Sequence, residues 1–208
     1  MGKQASGPMT ATALIAELER RRRNDPEFRT KVETAEAGRA EQHRQFREDE
    51  QPVLLELAKA GVEVATVWDL YKSPALAAKA APTLLSQLAL DHPPKVVDGI
   101  ASALSGTTAR SYWTELSTLY VQTSDENVRD RAADLLSGCA IRTHYEDLLR
   151  FLAQDALGGS RVYFLRPVHR IGNRMRAGTG RAVITSLVDD AVLGREARAI
   201  LAGRSRSE

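Results

Sequence analysis

Between residues 82 and 201 the chain repeats one pattern four times, at 83–104, 115–136, 148–168 and 184–201. Each segment reads as two short amphipathic helices joined by a polar turn. An apolar pair recurs in the first helix, as Leu85/Leu88, Leu116/Leu119, Leu149/Leu152 and Ile184/Leu187. Its steps, taken at the first member (85, 116, 149, 184), are 31, 33 and 35 residues. The second helix begins at Val96, Val128, Ser160 and Gly194, with steps of 32, 32 and 34. A fixed period in this range marks a helical solenoid. One such hairpin cannot bury its apolar face alone, whereas stacked hairpins share a core and leave a long open surface. The register predicts core positions at Leu119, Leu136, Leu149 and Leu152.

Apolar residues make up 43% of the 208-residue chain and aromatic residues only 5%. That balance suits close helix packing and an all-α fold, and suits sandwiches and barrels poorly. No apolar run approaches the ~20 residues of a membrane-spanning helix. The start lacks the apolar stretch of a secretory signal, and with a single cysteine, Cys139, the expectation is a cytoplasmic protein without an internal disulfide. Met1-Gly2-Lys3-Gln4-Ala5-Ser6 fits the loose N-myristoylation pattern. Small and polar residues match that pattern easily, and the segment reads as an unstructured leader.

Residues 1–50 form a leader and a polar helical extension. A helix is expected at 11–23, with Leu14, Ile15 and Leu18 on one face and Arg20 to Arg23 at its end, where cations suit the helix dipole. Asp25 and Pro26 restart the chain as N-cap and first helical residue. A second helix at 27–50 has only Phe28, Val32, Ala35 and Phe46 as apolar anchors, a stripe too thin for a deep core. The solenoid is expected over 51–204. A degenerate capping repeat at 51–73 comprises a helix at 51–60 ended by Gly61 and a short helix at 64–71. Four repeats follow, at about 75–204.

The run Asp125-x-x-Val128-Arg129-x-x-Ala132-x-x-Leu135-Leu136 resembles the second helix of a HEAT repeat. Ser124 or Asp125 can cap it. HEAT repeats carry an aspartate in the turn and an arginine six residues later. Asp155 with Arg161 and Asp189 with Arg195 match this spacing. Repeat one keeps Asp91 but has Val97 in the arginine column, and repeat two keeps Arg129 but has Thr123 in the aspartate column. The resemblance, also to small bacterial HEAT-repeat proteins, implies a right-handed α-α superhelix. Functionally it implies a non-catalytic scaffold or adaptor that binds a protein partner, with no cofactor. Arg129, Arg161 and Arg195 would then bridge turn carbonyls or carboxylates of neighbouring repeats.

Charge is unevenly placed. Of 29 basic and 27 acidic side chains, 10 arginines and 4 acids fall in 158–208, which leaves 19 and 23 in 1–157. The far end is thus at +6 and the rest at −4. Arg161, Arg166, His169, Arg170, Arg174, Arg176 and Arg181 are candidate binding residues. Arg166, Arg170 and Arg174 are four apart and would share a helix face if Pro167 does not break it. Such a row could contact phosphates, so nucleic-acid binding through the basic half is the alternative to protein binding.

Catalytic signals are sparse. His43, His92, His144 and His169 are scattered, and there is no His-Glu dipeptide, CxxC, HExxH or P-loop. Cys139 and His144, five apart, could form a nucleophile–base pair, although a buried cysteine needs no such role. Trp113 with Glu115 is the nearest candidate for a HEAT-like DNA glycosylase site. Trp68 and Trp113 are expected to pack between repeats.

Overall fold

A computed structural model describes residues 10–203. The Gly2–Ser6 pattern therefore lies outside the described residues. The chain is all-helical, with no strand among the described residues, and divides into two units, Met1–Glu48 and Asp49–Glu208. No described helix is long and apolar enough to cross a membrane.

In the first unit, α1 (Ala11–Asn24) starts at Thr10, whose hydroxyl accepts the Ala13 N–H. Asp25 then caps α2 (Pro26–Lys59) by accepting the Phe28 N–H at 3.0 Å, as the sequence leads one to expect. Polar contacts tie α1 to α2. The Arg22 guanidinium donates to both oxygens of Glu36 at 3.0 and 2.8 Å, and Arg29 donates to the Arg22 and Arg23 carbonyls. No residue of α1 is buried, which leaves Leu14, Ile15 and Leu18 exposed.

The helix expected at 51–60 is not separate: α2 runs unbroken to Lys59 and accommodates Pro52. Nothing between Arg47 and Pro52 favours a turn strongly enough to interrupt it. Glu50, expected in the polar extension, is fully buried. Its carboxylate accepts the Thr66 hydroxyl at 2.7 Å and the Val67 N–H at 3.2 Å. It thereby caps a 3-10 helix, Val67–Lys72, where a short helix at 64–71 was expected. Gly61, at φ +73°, closes α2 in the left-handed conformation that glycine adopts without penalty.

The remaining helices are α3 (Pro74–Leu88), α4 (Pro94–Leu104), the short α5 (Thr107–Ser111), α6 (Trp113–Gln122), α7 (Glu126–Cys139), α8 (Tyr145–Leu152), α9 (Val162–Met175), α10 (Thr179–Ser186) and α11 (Gly194–Leu201). The four repeated segments hold the pairs α3–α4, α6–α7, α8–α9 and α10–α11, and the members of each pair pack together. The second helices also touch in succession, α4 on α7, α7 on α9 and α9 on α11. Asp125 caps α7, accepting from Asn127 N–H at 2.8 Å and Val128 N–H at 3.1 Å.

One member of each expected first-helix pair is buried, Leu88, Leu116, Leu152 and Ile184, while the other is only half-buried. Leu136 and Leu152 are buried, but Leu119 and Leu149 are only half-buried. The first helices bury positions four apart: Leu84/Leu88, Leu116/Tyr120 and Leu148/Leu152. Their first members, 84, 116 and 148, are spaced by 32 and 32 residues. Both i+3 and i+4 fit a helical stripe; the aromatic at 120 decides between them. The Tyr120 ring meets Phe151 and Phe164 edge-on, with centroids 5.1 and 5.2 Å away. Its hydroxyl lies 3.1 Å from Ser160 Oγ, which donates to the Leu157 carbonyl.

Helix α10 packs most closely on α9, not on its partner α11. Two glycines make that approach possible. A Cβ on Gly172 would lie 2.6 Å from the Tyr145 hydroxyl and 2.8 Å from Gly180 Cα. A Cβ on Gly180 would strike the His169 carbonyl and lie 2.8 Å from His169 Cα. Backbone therefore touches backbone, and no side-chain rotation can relieve an added methyl group.

Candidate functional site

The arginine column is structural where it is formed. Arg161 is only 3% exposed. It donates to the Leu152 carbonyl at 2.9 Å, the Gly158 carbonyl at 3.2 Å and Asp155 Oδ1 at 2.7 Å. Asp190 of the following turn stands 3.8 Å away. This candidate binding residue is consumed by the fold and presents nothing to a ligand. Arg129 donates to the Thr123 carbonyl in the same manner.

In the last repeat the assignment shifts. Arg195 and Asp189 are exposed and do not pair. Arg198 instead reaches the Val188 carbonyl, and Asp190 caps the turn by accepting from Val192 and Leu193 N–H, both at 2.8 Å. Those two bonds hold the Asp190 carboxyl below its ordinary range. Six-residue spacing chose the wrong aspartate of the Asp189-Asp190 pair, and the wrong arginine with it.

Helix α9 passes through Pro167 without interruption, so Arg166 and Arg170 do share a face. Together with His169, Pro167, Ser137 of α7, Ile200 of α11 and Gly203 they line an open cleft of about 460 Å³. Arg166 is half-buried, and its guanidinium donates twice to Glu196 Oε1, at 2.7 and 3.0 Å. Arg170, Arg174, Arg176 and Arg181 are exposed and form no ion pair among the described residues. Arg174 lies in the last turn of α9, Arg176 just past its end and Arg181 on α10. Of the seven candidates, the structure thus gathers Arg166, His169 and Arg170 in one cleft, extends the row to Arg174, and withdraws Arg161.

A second cleft, of about 340 Å³, was not legible in the sequence. Trp68 and Tyr71 line it from the 3-10 helix, with Asp98 and Ser102 from α4 and Arg131, Asp134 and Leu135 from α7. Trp68 packs against α4, as expected, yet stays 37% exposed, and Tyr71 is 68% exposed. Two rings three residues apart, in a segment whose other large apolar residues are buried, were the available signal.

Of the catalytic candidates, Cys139 and Trp113 are drawn into the interior. Cys139 is buried, its thiol 3.7 Å from the Leu136 carbonyl, and burial pushes it up to about 11, so it stays protonated at neutral pH. Trp113 is buried as well. Its indole N–H donates to Asp147 at 2.8 Å and its ring stacks on His144 at 3.7 Å. Glu115 points to solvent on the same helix, so the two do not form the aromatic–carboxylate pair of a base-binding site. Comparison with protein families, with curated proteins and with solved structures finds no match for this chain.

Two histidines make stability depend on pH. Burial lowers His144, and burial also lowers His92, whose Nε2 lies 3.1 Å from Gln87 Oε1. The folded state therefore disfavours their protonation more than the unfolded state does. Their contribution is complete above about 6.5, the ordinary histidine value, and is lost as pH falls through the lower folded values. Thermal denaturation is expected to give a lower Tm at about pH 5.5 than at about pH 7.5. The His92→Gln/His144→Gln variant is expected to show a smaller difference.

Proposed function

We propose that this chain is a HEAT-like helical solenoid that acts as a non-catalytic scaffold and binds a protein partner along its second helices. The observation that carries this reading is the succession of α4, α7, α9 and α11, each in contact with the next, with open clefts where they meet. Side chains from successive repeats line those clefts, which is how a solenoid builds an extended recognition surface. The arginines that stitch turns to carbonyls are spent on rigidity. Arg170 and Arg174, by contrast, remain available to an acidic surface, and electrostatic complementarity of that kind sets partner choice and association rate.

Affinity capture from the native host on the immobilised full chain is the test. The Arg170→Glu/Arg174→Glu variant is expected to recover the specific partner at least about tenfold less well, because juxtaposed like charges cost several kcal/mol. Its helical circular dichroism is expected to be unchanged. Equal recovery by the variant would remove the α9 face from the proposal.

Nucleic-acid binding is the second reading, favoured by the exposed Arg170, Arg174, Arg176 and Arg181, which form no ion pair among the described residues. It requires binding to duplex or single-stranded nucleic acid whose affinity falls linearly with the logarithm of salt concentration.

A further inference from the structure

We propose that the groove formed by Trp68, Tyr71, Asp98 and Asp134 receives an arginine or lysine side chain of the protein partner. This rests on the protein-binding reading above and gives the partner a chemistry at a site far in sequence from the basic cleft. In a 3-10 helix residues three apart eclipse each other, so Trp68 and Tyr71 stand on one side of Val67–Lys72. The same helix buries Val67 and Leu70 completely. It thus sorts its apolar residues, sending two inward and leaving Trp68 partly and Tyr71 largely exposed. Gly99 seats the indole against α4, since a Cβ there would lie 3.2 Å from Trp68 Nε1 and 3.4 Å from Cε2.

The charge around the rings selects the occupant. Asp98 is matched by Arg131, with Nε 2.6 Å from Oδ1. Asp134, one turn along α7, is exposed and has no ion-pair partner among the described residues. The groove therefore carries one carboxylate in excess beside two electron-rich ring faces. A cation gains from both, through attraction to the rings and a charge-assisted bond to the carboxylate. An acidic side chain meets repulsion, and an apolar one would cover Asp134 without replacing its water. Arginine suits the site best, because its planar guanidinium can stack on a ring while donating from its edge.

The chain has two tryptophans, so an ¹⁵N-labelled full-length sample gives two indole N–H signals. Trp113, already bonded to Asp147, is the internal reference, and the Trp68→Phe variant assigns the other signal. The probe is the peptide acetyl-Ala-Arg-Ala-amide at millimolar concentration, with the Gln and Glu analogues as comparisons. The arginine peptide is expected to shift the Trp68 signal and leave Trp113 in place, while the Gln and Glu peptides shift neither. Tyr71→Ala and Asp134→Asn, both at exposed positions, are each expected to weaken the arginine response about fivefold with the Trp113 signal unmoved. No Trp68 shift with the arginine peptide, an equal shift with the Gln or Glu peptide, or full affinity in Asp134→Asn would overturn the assignment. A partner captured equally well by wild type and by the Tyr71→Ala/Asp134→Asn variant would also overturn it, while leaving the wider protein-binding reading intact.

Discussion

Leu148→Ala is expected to lower the unfolding free energy by about 2–5 kcal/mol, and its neighbour Leu149→Ala by only about 1 kcal/mol. Leu148 is wholly buried and Leu149 is half-exposed on the next position of α8. The larger loss combines the transfer energy of the deleted atoms with the cavity they leave in the core. Urea denaturation of the two variants side by side is the measurement. Equal losses, or a reversal of their order, would show that the helix is rotated about its axis from the arrangement described.

Gly180→Ala is expected to destabilise by about 3 kcal/mol or more, at the upper end of overpacking substitutions. A single methyl group would be inserted between two backbones, at the His169 carbonyl and 2.8 Å from His169 Cα. Helix α10 would have to move off α9, its principal partner. Gly138→Ala is the matched control. A Cβ there meets nothing within 4 Å, so alanine's better helix propensity is expected to leave stability unchanged or slightly raised. A Gly180→Ala loss as small as that of the control would mean that α9 and α10 do not cross at these glycines.

The helical hairpins were legible because polar turns and apolar stripes recur at a nearly constant spacing. Asp25 was legible as a cap, and the cap of α7 was narrowed to Ser124 or Asp125, because capping is a local act, settled within three residues. The core register was not, because Leu84-Leu85 and Leu148-Leu149 offer adjacent leucines and either can be turned inward. What settles the choice is Tyr120, whose hydroxyl finds Ser160 forty residues on, a match no periodicity announces. Glu50 was misjudged for a similar reason: a carboxylate in a charged run looks solvated until Thr66 and Val67 fold back onto it.

The candidate surface was half legible. Arg166 and Arg170 follow from four-residue spacing on one helix. Arg161 looked alike in sequence but is enclosed, because its carbonyl partners come from the preceding turn and only three-dimensional closure brings them near. The groove at Trp68 takes its walls from residues 68, 98, 131 and 134, on three separate helices. No single stretch of sequence contains enough of it to be noticed.

The contacts among helices α3 to α11 run between elements close in sequence, with α4 touching α7, α7 touching α9 and α9 touching α11. Folding such a chain closes only short loops, so the entropy lost before each contact forms is small, and the folding rate is expected to lie toward the fast end for its size. Its breathing is expected to be directional as well. Among the second helices, α4 and α11 each touch one other and α7 and α9 each touch two, so amide hydrogen exchange should be slower in α7 and α9 than in α4 and α11.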